Sequence, residues 1–150
     1  METVRPANAD DLPRCVELLG ILFDQEQEFN PDPAVQRTGL EMILKNPETG
    51  SVFVYEIGGI IHGMVVMLFT VSTALGQKVA ILEDMIVSPD LRGKGVGTNL
   101  VKYAVEFAMN KGCGRITLLT DCDNEAAHEF YRTCGFTKSD MLVFRKLIRR

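Results

Sequence analysis

Val87-Ser88-Pro89-Asp90-Leu91-Arg92-Gly93-Lys94-Gly95-Val96-Gly97-Thr98 is the stretch on which the fold turns. The apolar run Met85-Ile86-Val87 ends inside it, and an amphipathic helix, about Gly95 to Asn110, opens from it. Three alternating glycines at such a junction let backbone N–H groups approach an anion closely. The helix N-terminus adds partial positive charge, and Arg92 and Lys94 add full charges. In physical terms this is a phosphate-binding device. It is not a Walker A loop, which needs Gly-Lys-Ser/Thr after a longer spacer. Nor is it a dinucleotide fingerprint: Thr98 or Leu100 stands where the third glycine of GxGxxG belongs.

Upstream, Val4 to Asn8 has the character of a short first strand, and Asp10 is a candidate N-cap. Leu12, Cys15, Val16, Leu18, Leu19 and Leu22 then recur at helical spacing, with Pro13 in the first turn, where its missing N–H costs nothing. A second helix is expected from about Ala34 to Lys45, stopping before Asn46-Pro47. Ser51 to Ile57 and Ile60 to Ser72 read as strands joined by the two-residue turn Gly58-Gly59, and Lys78 to Val87 as a further strand.

Downstream, the helix that opens at the glycines closes at Lys111-Gly112. A strand, Arg115 to Thr120, a helix, Asn124 to Cys134, and a last strand, about Met141 to Leu147, complete the chain. An antiparallel half followed by alternating strands and helices predicts an α/β (α+β) fold, one mixed sheet with helices on its faces. The expectation is one domain over residues 1–150.

Here the sequence resembles the GNAT superfamily of N-acetyltransferases. Arg92-Gly93-Lys94-Gly95-Val96-Gly97 meets that family's coenzyme A signature, Arg/Gln-x-x-Gly-x-Gly/Ala. Asn124, Ala127, Tyr131, Gly135 and Phe136 meet a second, Asn-x-x-Ala-x-x-x-Tyr-x-x-x-Gly-Phe. The order and separation of the two blocks agree with the family, and the closest likeness in motif is to diamine acetyltransferases. The resemblance implies that the strand before the turn splays from its neighbour and that the pantetheine arm of acetyl-CoA lies along the backbone of Met85, Ile86 and Val87. It places the pyrophosphate on the amides of Arg92, Gly93, Lys94, Gly95, Val96, Gly97 and Thr98. Asn124, with Ala127 and Tyr131 on the same helix face, approaches the coenzyme from the other side.

Amine acetylation asks for a base and an acid. An ammonium of pKa about 10.4 must lose a proton before it attacks a thioester, and the departing thiolate benefits from a donor. Tyr131 is the candidate acid: a phenol of pKa about 10 protonates a thiolate of thiol pKa roughly 8.5 only mildly uphill. The alternative is a core aromatic packed beside Phe130. Glu83 and Asp84 interrupt a strand apolar on both faces, where an idle carboxylate is costly. Alternation puts them on opposite faces, so one alone faces the acceptor, and periodicity does not say which. The resemblance favours Glu83 as base, acting through water, with Asp84 structural and tied to backbone donors. His128 is a weaker rival base.

Composition bounds the partners. The 150 residues carry a net charge of −4 and no long basic run, which argues against nucleic acid as the main partner. The terminal Arg145, Lys146, Arg149 and Arg150 read as a solvated tail. Asp24, Glu26, Glu28 and Asp32 follow the first helix with no intervening lysine or arginine, which suits a cationic acceptor as well as it suits a solubilising loop. Cys15, Cys113, Cys122 and Cys134 lack paired spacing, so no metal is expected. No signal peptide and no membrane-length apolar run is visible, and the expected setting is the cytoplasm. Homodimers are common in the resembling family, though no residue here specifies one. The expected function is direct transfer of the acetyl group of acetyl-CoA to a primary amine of a small molecule or peptide. The competing reading is a non-catalytic acyl-CoA-binding regulatory module.

Overall fold

The computed structural model describes residues 1–26 and 30–148. Its elements are β1 (Glu2–Pro6), α1 (Leu12–Gln25), α2 (Pro33–Leu44), β2 (Gly50–Ile57), β3 (Ile60–Ser72), β4 (Gln77–Val87), α3 (Val96–Asn110), β5 (Ile116–Leu118) and α4 (Glu125–Thr133). The five strands form one sheet in the order β1-β2-β3-β4-β5. The first four pair antiparallel; β5 joins β4 in parallel. This is the mixed sheet with flanking helices that the sequence predicts.

Strand alternation builds two cores, one on each side of the sheet. Val52, Val54, Met64 and Val66 face Leu12, Cys15, Leu18 and Leu19 of α1 and Leu40 of α2. Phe53, Tyr55, Val65 and Met67 face Val96, Leu100, Ala104 and Ala108 of α3. Each fully buried side chain of this size stabilises the fold by about 1.5–3 kcal/mol relative to exposure. Those two cores clamp the centre of the sheet and leave its β5 edge for the site.

The entry to α1 differs from the expectation. Asp10 is not the cap: Asn8 accepts from the Asp10 N–H and starts a 3-10 turn at Ala9–Asp11, and Asp11, without a capping hydrogen bond of its own to α1, holds the N-cap position of α1. Asp11 is buried because Arg5 reaches it at 2.7 Å while also holding Glu56 at 2.7 Å. This network anchors α1, whose far end borders the site.

The expected last strand at Met141 to Leu147 is not formed. Residues 141–148 lie outside any ladder, and Leu142, Phe144 and Ile148 are 83%, 93% and 84% exposed. Strand-like composition needs a neighbouring edge, and β5 spans three residues rather than the six expected, so it offers few ladder positions. Arg149 and Arg150 lie outside the described residues.

Candidate active site

The decisive local feature is an irregularity in β4. Met64 pairs with Ile86 and Val66 with Glu83, so Asp84 and Met85 together oppose Val65. Two residues against one is a β-bulge, and Asp84 takes φ +54, in the left-handed region that non-glycine residues rarely occupy. On its other side β4 pairs with β5 only from Ala80↔Ile116 to Leu82↔Leu118. Beyond Leu82 the two strands part, and residues 83–87 of β4 have no ladder partner on that edge among the described residues.

A cleft of about 120 Å³ opens where they separate. Glu83, Asp84 and Met85 line it from β4, Thr120 and Asp121 from beyond β5, Asn124, Ala127 and Tyr131 from α4, and Glu26 from the end of α1. Pockets that engulf whole ligands run to roughly 300–1,000 Å³, so this cleft suits the end of an extended molecule.

The bulge corrects one expectation outright. Simple alternation would put Glu83 and Asp84 on opposite faces, but both line the cleft. Glu83 is exposed and Asp84 is half-buried. Asp84 is also not tied to backbone donors: among the described residues nothing donates a hydrogen bond to its carboxyl group. Burial, with the negative charges of Glu83 and Glu26 nearby, pushes its pKa up to about 7. A carboxyl group whose folded pKa exceeds its unfolded value weakens the fold as pH rises from the unfolded value to the folded one. Asp84→Asn should therefore stabilise the protein by about 1–2 kcal/mol at pH 8, with the gain shrinking as pH falls from about 7 and gone by about pH 4; asparagine also tolerates positive φ. Thermal melts across that range test it, and a gain independent of pH would contradict the cause given.

Tyr131 also lines the cleft. Its ring meets Phe130 and Phe136 edge-on at centroid distances of 5.1 and 5.9 Å. It is thus both packed and presented, and burial pushes its phenol up to about 12, above the ordinary value assumed from sequence. The hydroxyl keeps its proton throughout the neutral range. Asn124 caps α4 by accepting from the Ala127 N–H at 3.1 Å, which leaves its Nδ2 group for another partner. His128 Nε2 lies 2.8 Å from the Asp121 carbonyl and is not among the residues lining the cleft.

Next to the cleft, the glycine turn supplies donors. Gly93 and Gly95 have φ +77 and +87, and among the described residues a Cβ built on either would meet nothing within 4 Å beyond its own chain neighbours. These two are glycine for conformation. Gly97 is glycine for packing: a Cβ there would sit 3.1 Å from Phe130 and 3.2 Å from Met85, at the meeting of α3, α4 and β4. Gly95 is the N-cap of α3, so the N–H groups of Val96, Gly97 and Thr98 have no intrahelical acceptor. Arg92 differs from the expectation in two ways. Its backbone N–H turns to the Pro89 carbonyl, and its Nε donates to the Val87 carbonyl at 3.1 Å, bracing the turn against β4.

Of the described residues of the acidic segment, Glu26 alone lines the cleft. Asp32 caps α2 by accepting from the Val35 N–H, Asp24 is exposed, and Glu28 lies outside the described residues. The four cysteines are free thiols, and Cys15 belongs to the core. Among the described residues no cluster of His, Cys, Asp or Glu is arranged to hold a metal, and no helix is long and apolar enough to cross a membrane.

This geometry can be set beside known proteins. Residues 15–136 match the model of the acetyltransferase (GNAT) family. The chain belongs to the GNAT family. An N-acetyltransferase of Methanocaldococcus jannaschii is 29% identical over 142 residues, covering 93% of this chain and 62% of that one. The thialysine N-ε-acetyltransferase of Mus musculus is 37% identical over 78 residues, covering 52% of this chain and 45% of that one. The chain thus spans about half to three-fifths of the length of these two relatives. Among solved structures, an aminoglycoside N-acetyltransferase in complex with CoA superposes with a TM-score of 0.83 at 19% identity, over 98% of this chain and 95% of the other. At that identity the likeness is one of fold. This GNAT chain thus shares its overall sheet-and-helix architecture with that solved acetyltransferase.

Proposed function

We propose that this GNAT protein is an acetyl-CoA-dependent N-acetyltransferase that moves the acetyl group directly to a primary amine of a small molecule or peptide, without a covalent enzyme intermediate. The observation that carries the reading is the pairing of unsatisfied amides at the head of α3 with the open edge of β4. The N–H groups from Gly93 to Thr98 suit a diphosphate, and no backbone acceptor holds them among the described residues. Residues 85–87 of β4 suit an amide-bearing arm that adds to the strand edge. Asn124 Nδ2 and Ala127 complete the coenzyme's second side.

When bound, acetyl-CoA supplies an activated acetyl thioester. The chain's own groups handle the protons: a carboxylate of the Glu83–Asp84 pair receives the one shed by the amine, and Tyr131 Oη donates one to the sulfur. Glu26, Glu83, Asp84 and Asp121 give the cleft a negative lining, which favours a cationic acceptor. The thialysine-named relative agrees with an amine that carries further charge. Thiol release from acetyl-CoA, followed with polyamines, amino acids, aminoglycosides and peptides, tests the reading. Cationic amines should give the fastest turnover. Coenzyme binding without turnover across the panel would favour an acyl-CoA-binding module instead.

A further inference from the structure

We propose that Asp84, rather than Glu83, is the carboxylate that takes the proton from the acceptor amine. This rests on the acetyl-transfer reading above and narrows it to one residue. Three geometric observations carry it. First, the bulge turns Asp84 into the cleft that Tyr131 also lines, at the point where β4 leaves β5. Second, Asp84 holds a left-handed backbone that an aspartate does not adopt without cost, and strain of this kind persists where surrounding structure enforces it. Third, its carboxyl group is half-buried and receives no hydrogen bond among the described residues, so its lone pairs are open to an ammonium. Glu83, one residue earlier, is exposed to solvent.

The electrostatics agree with the geometry. Among the described residues, the titratable groups sharing the cleft are Glu26 at the end of α1, Glu83 on β4, Asp121 after β5 and Tyr131 on α4, and no lysine, arginine or histidine lines it. Crowded negative charge and burial raise the proton affinity of Asp84 to about 7. An ordinary carboxylate is too weak a base for an ammonium, and one poised near neutrality narrows that gap. Glu83 then acts as a positioning residue, its charge holding Asp84 basic.

A proton passes from the ammonium nitrogen to an Asp84 carboxylate oxygen, and the freed lone pair forms the C–N bond as the C–S bond breaks. Sulfur takes the Tyr131 Oη proton, and the second proton shed by nitrogen restores the phenol. Asp84 returns its proton to water.

The test is a pair of variants, each followed by kcat/KM against pH with the amine that the wild type acetylates fastest. Asp84→Asn should lose about 50-fold at pH 7 and recover toward wild type by about pH 9–10, where the amine sheds its own proton. Glu83→Gln should lose about threefold and move the acidic limb of the profile to lower pH, because a neighbouring negative charge is gone. Calorimetric acetyl-CoA affinity within about threefold of wild type shows that each variant is folded and that the coenzyme site is intact. Asp84→Gly, equally at home at positive φ, serves if the asparagine variant does not fold. A large pH-rescued loss in Glu83→Gln beside a near-normal Asp84→Asn overturns the assignment while leaving acetyl transfer standing. A wild type that binds acetyl-CoA yet acetylates none of the amines removes both.

Discussion

Replacing Tyr131 by phenylalanine is expected to lower kcat about 10³-fold while changing acetyl-CoA affinity by less than about threefold. General acids contribute roughly 10²–10⁴-fold, and this phenol stands in the cleft in its protonated form, although burial makes it a weaker acid than an ordinary phenol and its proton transfer to the thiolate correspondingly more uphill. The aromatic packing with Phe130 and Phe136 involves the ring alone, so phenylalanine preserves it. A core aromatic with no chemical task would lose almost nothing in kcat. The two roles therefore separate cleanly in steady-state kinetics combined with calorimetry. The raised phenol also fixes the alkaline side of the pH profile: Tyr131 imposes no decline between pH 7 and 10, because it still holds its proton there. A kcat within threefold of wild type would assign proton donation elsewhere.

Gly95→Val is expected to weaken acetyl-CoA binding by about 10²-fold. Gly95 has φ +87 and ψ 0 at the N-cap of α3, and a β-branched residue in that region is strongly disfavoured. Shifting this cap re-aims the N–H groups of Val96, Gly97 and Thr98 together. Hydrogen bonds to a charged acceptor contribute about 1.5–3 kcal/mol each, so misaligning one or two accounts for the loss. Gly76→Val is the control. It has φ +64 in the β3–β4 turn with equally open space around it. It should share the stability cost and spare coenzyme affinity. Equal affinity losses in the two variants would show that strain, not the amide array, is responsible.

How far the sequence reveals this arrangement depends on which force decides each part. The bounds of β3, Ile60 to Ser72, and the Gly58-Gly59 hairpin follow from local pattern and turn chemistry, and the structure agrees with both. The glycine turn is legible because positive φ and a helix start leave few alternatives to glycine. The bulge is not. Val79 to Val87 is apolar on both faces, so no alternation exists whose interruption would reveal an extra residue at Asp84 and Met85. That one irregularity brings Glu83 and Asp84 to the same cleft, where Asp84 lacks the backbone donors expected for it. The segment from Met141 to Leu147 illustrates the opposite limit: β-branched and aromatic content records a preference, while a strand also requires an available edge. Arg92 and Gly97 add a third case. Their motif positions are plain in sequence, yet the Val87 carbonyl and the Phe130 ring that explain them lie across the fold.

Asp84 also links stability to activity. Asp84→Asn is expected to stabilise the protein above pH 7 and to cost it turnover in the same range, the pattern of a strained group retained for function. Acetyl transfer at this cleft requires coenzyme to be held at the head of α3. Isothermal titration of the wild-type protein with coenzyme A measures that directly. A one-site heat whose affinity falls about 10²-fold in Gly95→Val but is kept in Gly76→Val is the predicted result; no heat with the wild type at high coenzyme concentration would contradict it.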